Sequence, residues 1–163
     1  MNSVNQSNTS VADDSVDTGA RQYCTFTVAG LFLGIDVLRV QEVLKHQQLT
    51  RVPLAPSEIG GLINLRGQIV TAIDLRSRLG LNKSDGQAQP MNVVVRTDDG
   101  SASLLVDAIR DVVTVDSAAF EPVPHTLAGV GREMFTGTYK LKDELLLILD
   151  TDKVFAGAKA EAA

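Results

Sequence analysis

The strongest constraint on how this chain can fold is that its second half repeats its first in outline. Leu33, Ile35, Asp36, Leu38 and Arg39 match Leu104, Val106, Asp107, Ile109 and Arg110 at one fixed offset. Gly61, Leu65, Arg66, Ile69, Val70, Ile73, Asp74 and Leu79 match Gly137, Leu141, Lys142, Leu145, Leu146, Leu149, Asp150 and Phe155 at a slightly larger one. The extra residues fall in the loop 120–134, which holds Pro122 and Pro124. A repeat with a period of this length marks a duplicated structural unit, and the expected architecture is two similar small β-barrels.

Residues 60–79, GGLINLRGQIVTAIDLRSRL, spell out one such unit. Two apolar, β-branched-rich runs, 62–65 and 69–73, flank Arg66-Gly67-Gln68 and predict a β-hairpin around a glycine that can take a positive φ. Asp74 is placed to cap a short helix carrying Leu75 and Leu79 on one face, and Gly80 stands where that helix stops. Arg66 is the odd residue, because a tight turn ordinarily selects Asn, Asp or Gly. A second hairpin is predicted from Tyr23 through the turn Ala29-Gly30 to Ile35, and Asp99-Gly100 marks the matching turn of the second copy. Residues 36–46, DVLRVQEVLKH, fit a helix or a strand equally well by pattern. The repeat decides between them: their partner Asp111–Val115 is β-branched, so 41–45 are expected to be extended after one helical turn.

The 163 residues, 44% of them hydrophobic, suit one compact domain or two intimately packed small ones, and a chain of that size buries about 68–70% of its unfolded surface. Residues 1–21 are polar and predicted to be a disordered tail. The folded domain is expected over 22–157, with a first half at about 22–81, a linker at 82–90, a second half at about 91–157, and a disordered end at 158–163. Cys24 has no partner for an intrachain disulfide, which fits a reducing compartment. The N-terminal residues have neither a basic start nor an apolar core, so no signal peptide is expected, and the apolar run Leu145–Leu149 is far too short to span a bilayer. A net charge of -5 without a dense Lys/Arg cluster argues against nucleic acid or anionic lipid and leaves proteins as the expected partners, in the cytosol.

Catalytic signatures are missing. No phosphate-cradling GxxxxGK[ST], GxSxG nucleophile turn or HExxH metal helix occurs, and Gly129 with Gly131 lacks the third glycine and the βαβ setting of a dinucleotide site. His46 and His125 have no Cys or Asp at ligand spacing, so no metal and no cofactor are expected. Asp36, Asp74, Asp107 and Asp150 each follow a strand and precede a predicted helical turn, where capping rather than acid/base work is the expected role. Cys24 alternates inside a strand and reads as a buried, inert thiol.

With these residues in view, the chain resembles the CheW family, the coupling proteins of bacterial chemotaxis. VQEV at 40–43, GGLINLRGQIVTAIDLR at 60–76, LLVDAIRDV at 104–112, and FTG through LLLILDTDKVF at 135–155 all resemble that family's motifs in order and spacing. Ser103 departs from the glycine the family often carries there. The resemblance implies a mainly β fold of two five-stranded SH3-like β-barrels sharing a hydrophobic core, with short helices. It implies a non-enzymatic scaffold that links the cytoplasmic tips of chemoreceptors to the histidine kinase CheA, through its CheW-like regulatory domain, in membrane-associated arrays and without insertion into the membrane. A scaffold of a non-flagellar chemosensory pathway is the alternative within the family; a regulatory module of a kinase and a small β-barrel enzyme are alternatives outside it. Carried over motif by motif, the interaction positions are Val40, Glu42, Val43, Gly61 and Arg66 in the first half and Ile109 and Val112 in the second. Their assignment to receptor or kinase is left open by the resemblance.

Overall fold

The computed structural model describes residues 19–81, 89–127 and 131–156; the predicted N-terminal tail through residue 18, most of the linker and the C-terminal end lie outside the described residues. Strand β1 (Ala20–Val28) reverses at Ala29-Gly30 into β2 (Leu31–Asp36), followed by a 3-10 turn (Val37–Arg39) and β3 (Val40–Leu44). The Asp36 carboxylate caps that turn by accepting the Leu38 N–H at 2.9 Å, so the segment with two possible readings is one short turn and then a strand, as the repeat predicts. Strands β4 (Ile59–Leu65) and β5 (Gln68–Asp74) form the central hairpin and lead into helix α1 (Leu75–Arg78), whose first turn is capped by Asp74. The second half follows with β6 (Met91–Thr97), β7 (Gly100–Val106), β8 (Ala108–Ile109), β9 (Val113–Asp116), β10 (Phe135–Lys140), β11 (Leu145–Leu149) and α2 (Thr151–Ala156). β1 begins at Ala20, earlier than the expected tail boundary, because Ala20 and Arg21 pair with Asp116 and Val115 of β9; backbone pairing orders them where side-chain polarity predicts a tail.

Strand pairing divides the chain differently from the sequence halves. One sheet runs β10-β11-β2-β1-β8, with β9 also on β1, and the other runs β3-β6-β7-β5-β4. The five-stranded sheet therefore takes one hairpin from the second half and a hairpin plus the edge strand β3 from the first, and the six-stranded sheet one hairpin from the first half and a hairpin plus β8 and β9 from the second. The halves meet at two parallel pairings, β11 with β2 and β5 with β7, and at the antiparallel pairings of β3 with β6 and of β1 with β8 and β9. Under the repeat, β1, β2, β3, β4 and β5 correspond to β6, β7, β9, β10 and β11, and this exchange of strands turns one sheet order into the other.

Alternation along the central strands buries both faces of each sheet. Phe26, Leu33, Ile35, Leu147 and Leu149 of one sheet meet Ile73, Val93, Val95, Leu104 and Val106 of the other in a core between them, closed by Leu75, Leu79, Val154 and Phe155 from the helices. Their in-between neighbours point outward into two smaller clusters, Ile63, Val70, Val94 and Leu105 on one side and Tyr23, Phe32, Tyr139 and Leu146 on the other. Period-two burial on both faces explains why the strands read as near-continuous apolar runs. Cys24 is buried, and burial pushes its thiol up, which keeps it protonated.

Neither sheet closes into the expected barrel. In the five-stranded sheet β3 and β4 occupy opposite edges and do not pair. The chain between them fills the gap instead: Thr50 and Leu62 exchange two backbone hydrogen bonds at 2.8 Å, and Leu44 and Leu49 cover the small cluster inside. The other sheet repeats the device with Glu121 on Thr138. At both crossings a glycine makes room. A Cβ on Gly61 would lie 2.8 Å from the Thr50 carbonyl oxygen, and one on Gly137 would meet the Phe120 ring and the Glu121 carbonyl.

Candidate protein-docking surface

The hairpin β4–β5 carries Arg66 at its tip. Arg66 and Gly67 both have positive φ, 54° and 84°, the pattern of a type I′ turn, which suits the strand twist and selects Asn-Gly. Asn64 supports the reversal by accepting the Gly67 N–H at 2.8 Å. An arginine in this left-handed position is disfavoured, so something other than chain reversal accounts for it. Its guanidinium spans the open side of the sheet and donates twice to Glu42 on β3, at 2.5 and 2.7 Å. The hydrogen bonds from Arg66 hold the Glu42 carboxyl below its ordinary range. The pair is lopsided: the Arg66 side chain is 70% exposed and that of Glu42 only 19%. An exposed ion pair adds little to folding, while the exposed face of the guanidinium keeps an apolar stem and further N–H donors for a partner.

Val40 packs against the shared core, and Val43 on the same strand is 38% exposed. β3 uses one edge to pair with β6, with a bulge between Val40 and Glu42. The sequence-predicted residues Val40, Glu42, Val43 and Arg66 thus come together along this edge. Gly61 does not join them at the surface: it is buried beneath Thr50 with φ 147°, so it shapes the path of the covering segment. Ile109 lies in β8 of the other sheet, and Val112 in the connection between β8 and β9. Ile109 pairs with Phe26 and packs on the shared core, and Val112 is 53% exposed.

Beside Ile109 the sequence reading missed a second clasp. Arg110 donates to both carboxylate oxygens of Glu144, at 2.7 and 2.9 Å, with its guanidinium carbon 4.3 Å above the Phe32 ring centroid. The hydrogen bonds from Arg110 lower the Glu144 carboxyl. Lys142, the repeat partner of Arg66, makes no ion pair among the described residues. The pairing of Arg39 with Arg110 in the repeat was the available signal, since both are held by an acid of the C-terminal region, Asp152 and Glu144.

The four aspartates divide. Asp36, Asp74 and Asp150 accept from backbone N–H groups at the start of a helical turn. Asp107 departs from that expectation, because the chain after it continues as β8; its carboxylate accepts from the Ala29 N–H and from Arg76. Burial raises the Asp107 carboxyl, but the Arg76 and Ala29 bonds outweigh it and the net direction is down. Among the described residues no group of three or more His, Cys, Asp or Glu is placed to hold a metal, and no helix is long and apolar enough to cross a membrane.

The family model for the CheW-like domain matches residues 22–159. A probable chemotaxis protein CheW from Rhizobium etli is 27% identical, over 94% of this chain and 99% of its own length. The chemotaxis protein CheW of Bacillus subtilis is 30% identical, over 91% of this chain and 94% of its own. The crystal structure of the scaffolding protein TtCheW from Thermoanaerobacter tengcongensis superposes with a TM-score of 0.75 at 31% identity, covering 83% of this chain and 87% of that one.

Proposed function

The chain belongs to the CheW-like domain family and is a chemotaxis coupling adaptor, and from that premise we propose that it joins two specific partners, the histidine kinase CheA and the cytoplasmic tips of chemoreceptors. In this reading it catalyses no reaction, resides in the cytoplasm and is recruited to membrane-associated receptor arrays. Val40, Glu42, Val43 and Arg66 form a docking edge in the first half, Gly61 sets that edge from below, and Ile109 and Val112 belong to a second contact on the other sheet.

The observation that carries the assignment of the docking edge is the Arg66–Glu42 pair. It occupies a backbone conformation that folding alone disfavours, it faces solvent, and apolar side chains flank it. The test is titration of the purified receptor cytoplasmic fragment and of the CheW-like domain of CheA onto the parent, Arg66→Ala and Lys142→Ala chains. Arg66→Ala is expected to weaken at least one partner by more than about tenfold, as truncation of an interface charge does, with Lys142→Ala close to the parent. Normal binding of both partners by Arg66→Ala would reduce Arg66 to a turn residue, and equal losses in the two variants would remove the asymmetry between the halves.

A further inference from the structure

Val40 and Glu42 stand two residues apart on β3, and in a regular strand they would share a face. Here they face opposite ways. Val40 lies opposite Val95, on the side that packs against the shared core, while Glu42 lies opposite Val94, which belongs to the small cluster behind the open side of the sheet. The bulge between them, with Gln41 as its extra residue, makes this possible, and it brings Glu42 to the face from which it meets Arg66. Without the bulge, a one-residue step in register would exchange the two faces and turn Glu42 away from Arg66.

As the edge strand of its sheet, β3 has one neighbouring strand to hold this register, and the bulge interrupts the ladder at the point that matters. Polar side chains from the second half take its place. Arg96 on β6 donates through one guanidinium nitrogen to the carbonyls of both Leu38 and Val40, at 3.2 and 3.1 Å. Ser101, which faces Arg96 across β6 and β7, donates to the Gln41 side-chain oxygen at 2.7 Å. Behind the hydrogen bonds from Arg66, the Gln41 side chain also helps to hold the Glu42 carboxyl down. The far end of β3 is pinned from the same two strands by Asn92, which donates to the Lys45 carbonyl at 3.4 Å and accepts from Ser103 at 2.8 Å. The remaining freedom lies at the bulge, where Arg96 and Ser101 close it. Arg96 is exposed, so removing its donors opens no cavity in the core.

We propose that Arg96 and Ser101 are positioning residues for the docking edge, locking the bulge at Gln41 so that Glu42 is aimed at Arg66. The inference rests on the docking role proposed above for the Arg66–Glu42 pair.

The test uses the full-length chain with the receptor cytoplasmic fragment and the CheW-like domain of CheA as probes. Arg96→Thr suits a strand and removes both carbonyl bonds, so cooperative melting is expected to persist while affinity for the probe that Arg66→Ala weakens falls at least about fivefold. By NMR, the cross-strand contact of Glu42 with Val94 is expected to give way in part to one of Gln41 with Val94. Ser101→Ala removes only a hydroxyl, is expected to act in the same direction more weakly, and carries the test if Arg96→Thr does not fold. In the Arg66→Ala background either substitution is expected to cost less than about twofold, because residues that act through one pair are not additive. If both variants bind like the parent and keep Glu42 opposite Val94 while Arg66→Ala still loses a probe, the positioning role is refuted and the docking edge stands. Losses that multiply with that of Arg66→Ala would make Arg96 and Ser101 contact residues and overturn it as well. A parent chain that binds neither probe, or an Arg66→Ala chain that binds both normally, removes the docking edge and this inference with it.

Discussion

At the tip of the β4–β5 hairpin the arginine belongs to the turn and the acid to the body, Arg66 reaching back to Glu42. At the β10–β11 tip the acid belongs to the turn and the arginine to the body, Glu144 accepting both arms of Arg110. The backbones differ as well, since Arg66 is left-handed while Lys142 and Asp143 are not. Strand order, the crossing loop and the glycine beneath it are the same in both sheets. Features required by the fold have been kept in both copies, and the exposed ends have acquired opposite charge arrangements. A partner that reads charge can therefore tell one end of the molecule from the other although the frame beneath is nearly symmetric.

The frame can be broken first. Because each sheet needs strands from both halves, residues 19–81 alone lack β8 and β9 beside β1, β11 beside β2, β6 beside β3 and β7 beside β5, and the shared core loses residues from both its walls. The isolated fragment is expected to show no cooperative unfolding, and the whole chain to melt in one calorimetric transition. Two separated transitions, or a soluble folded fragment, would mean that the sheets are stable without exchange.

A smaller but still structural effect separates the two crossing glycines. Gly61→Ala places a methyl group against a backbone oxygen and adds a strained φ, and is expected to destabilise the chain by about 1–3 kcal/mol, with β3-edge binding lost in step. Gly137→Ala meets the half-exposed Phe120 ring, which can swing away, as well as the Glu121 oxygen. Its loss is expected to be the lesser of the two in urea unfolding, and the reverse order would show that φ at Gly61 is not the deciding strain.

Reversing the first clasp sharpens the comparison without touching the core. In Glu42→Arg/Arg66→Glu the ion pair can re-form with the charge order of the second clasp. If the clasp acts only by holding β3 against the hairpin, binding returns to near the parent level; if Arg66 itself meets a partner, affinity stays at least about tenfold down. Thermal unfolding within about 2 °C of the parent would confirm that an exposed pair is being exchanged rather than a core element.

Local features of this architecture were legible in the sequence. The hairpins follow from apolar runs around Ala29-Gly30 and Arg66-Gly67, and Asp36 and Asp74 announce their caps, because turn and cap chemistry acts over two or three residues. Strand exchange was not legible, since the parallel pairings of β5 with β7 and β11 with β2 join residues far apart and leave no turn signal. The same holds for barrel closure: a repeat predicts two similar units but not whether β3 pairs with β4 or leaves a gap for Thr50. Arg66 and Glu42 were brought together by the family motifs and the repeat comparison. Arg110 and Glu144, 34 residues apart, had only the echo of Arg39 to mark them.

The smallest expected effect is electrostatic and tests whether the two clasps are independent. Glu42 and Glu144 both have carboxyl pKa values lowered by their arginines. A folded-state value below the unfolded one gives stabilisation that is present above the ordinary glutamate pKa, about 4.3, and is lost as pH falls through the lowered folded value. Carboxyl-detected NMR titration should therefore place both midpoints below that of an unpaired glutamate in the parent chain. In Arg66→Ala the Glu42 midpoint should rise towards the ordinary value while that of Glu144 stays put, and Arg110→Ala should do the reverse. Movement of both midpoints in either variant would mean that the hairpin ends are coupled through the shared core, and the view of two separately diverged docking ends on one symmetric frame would have to be given up.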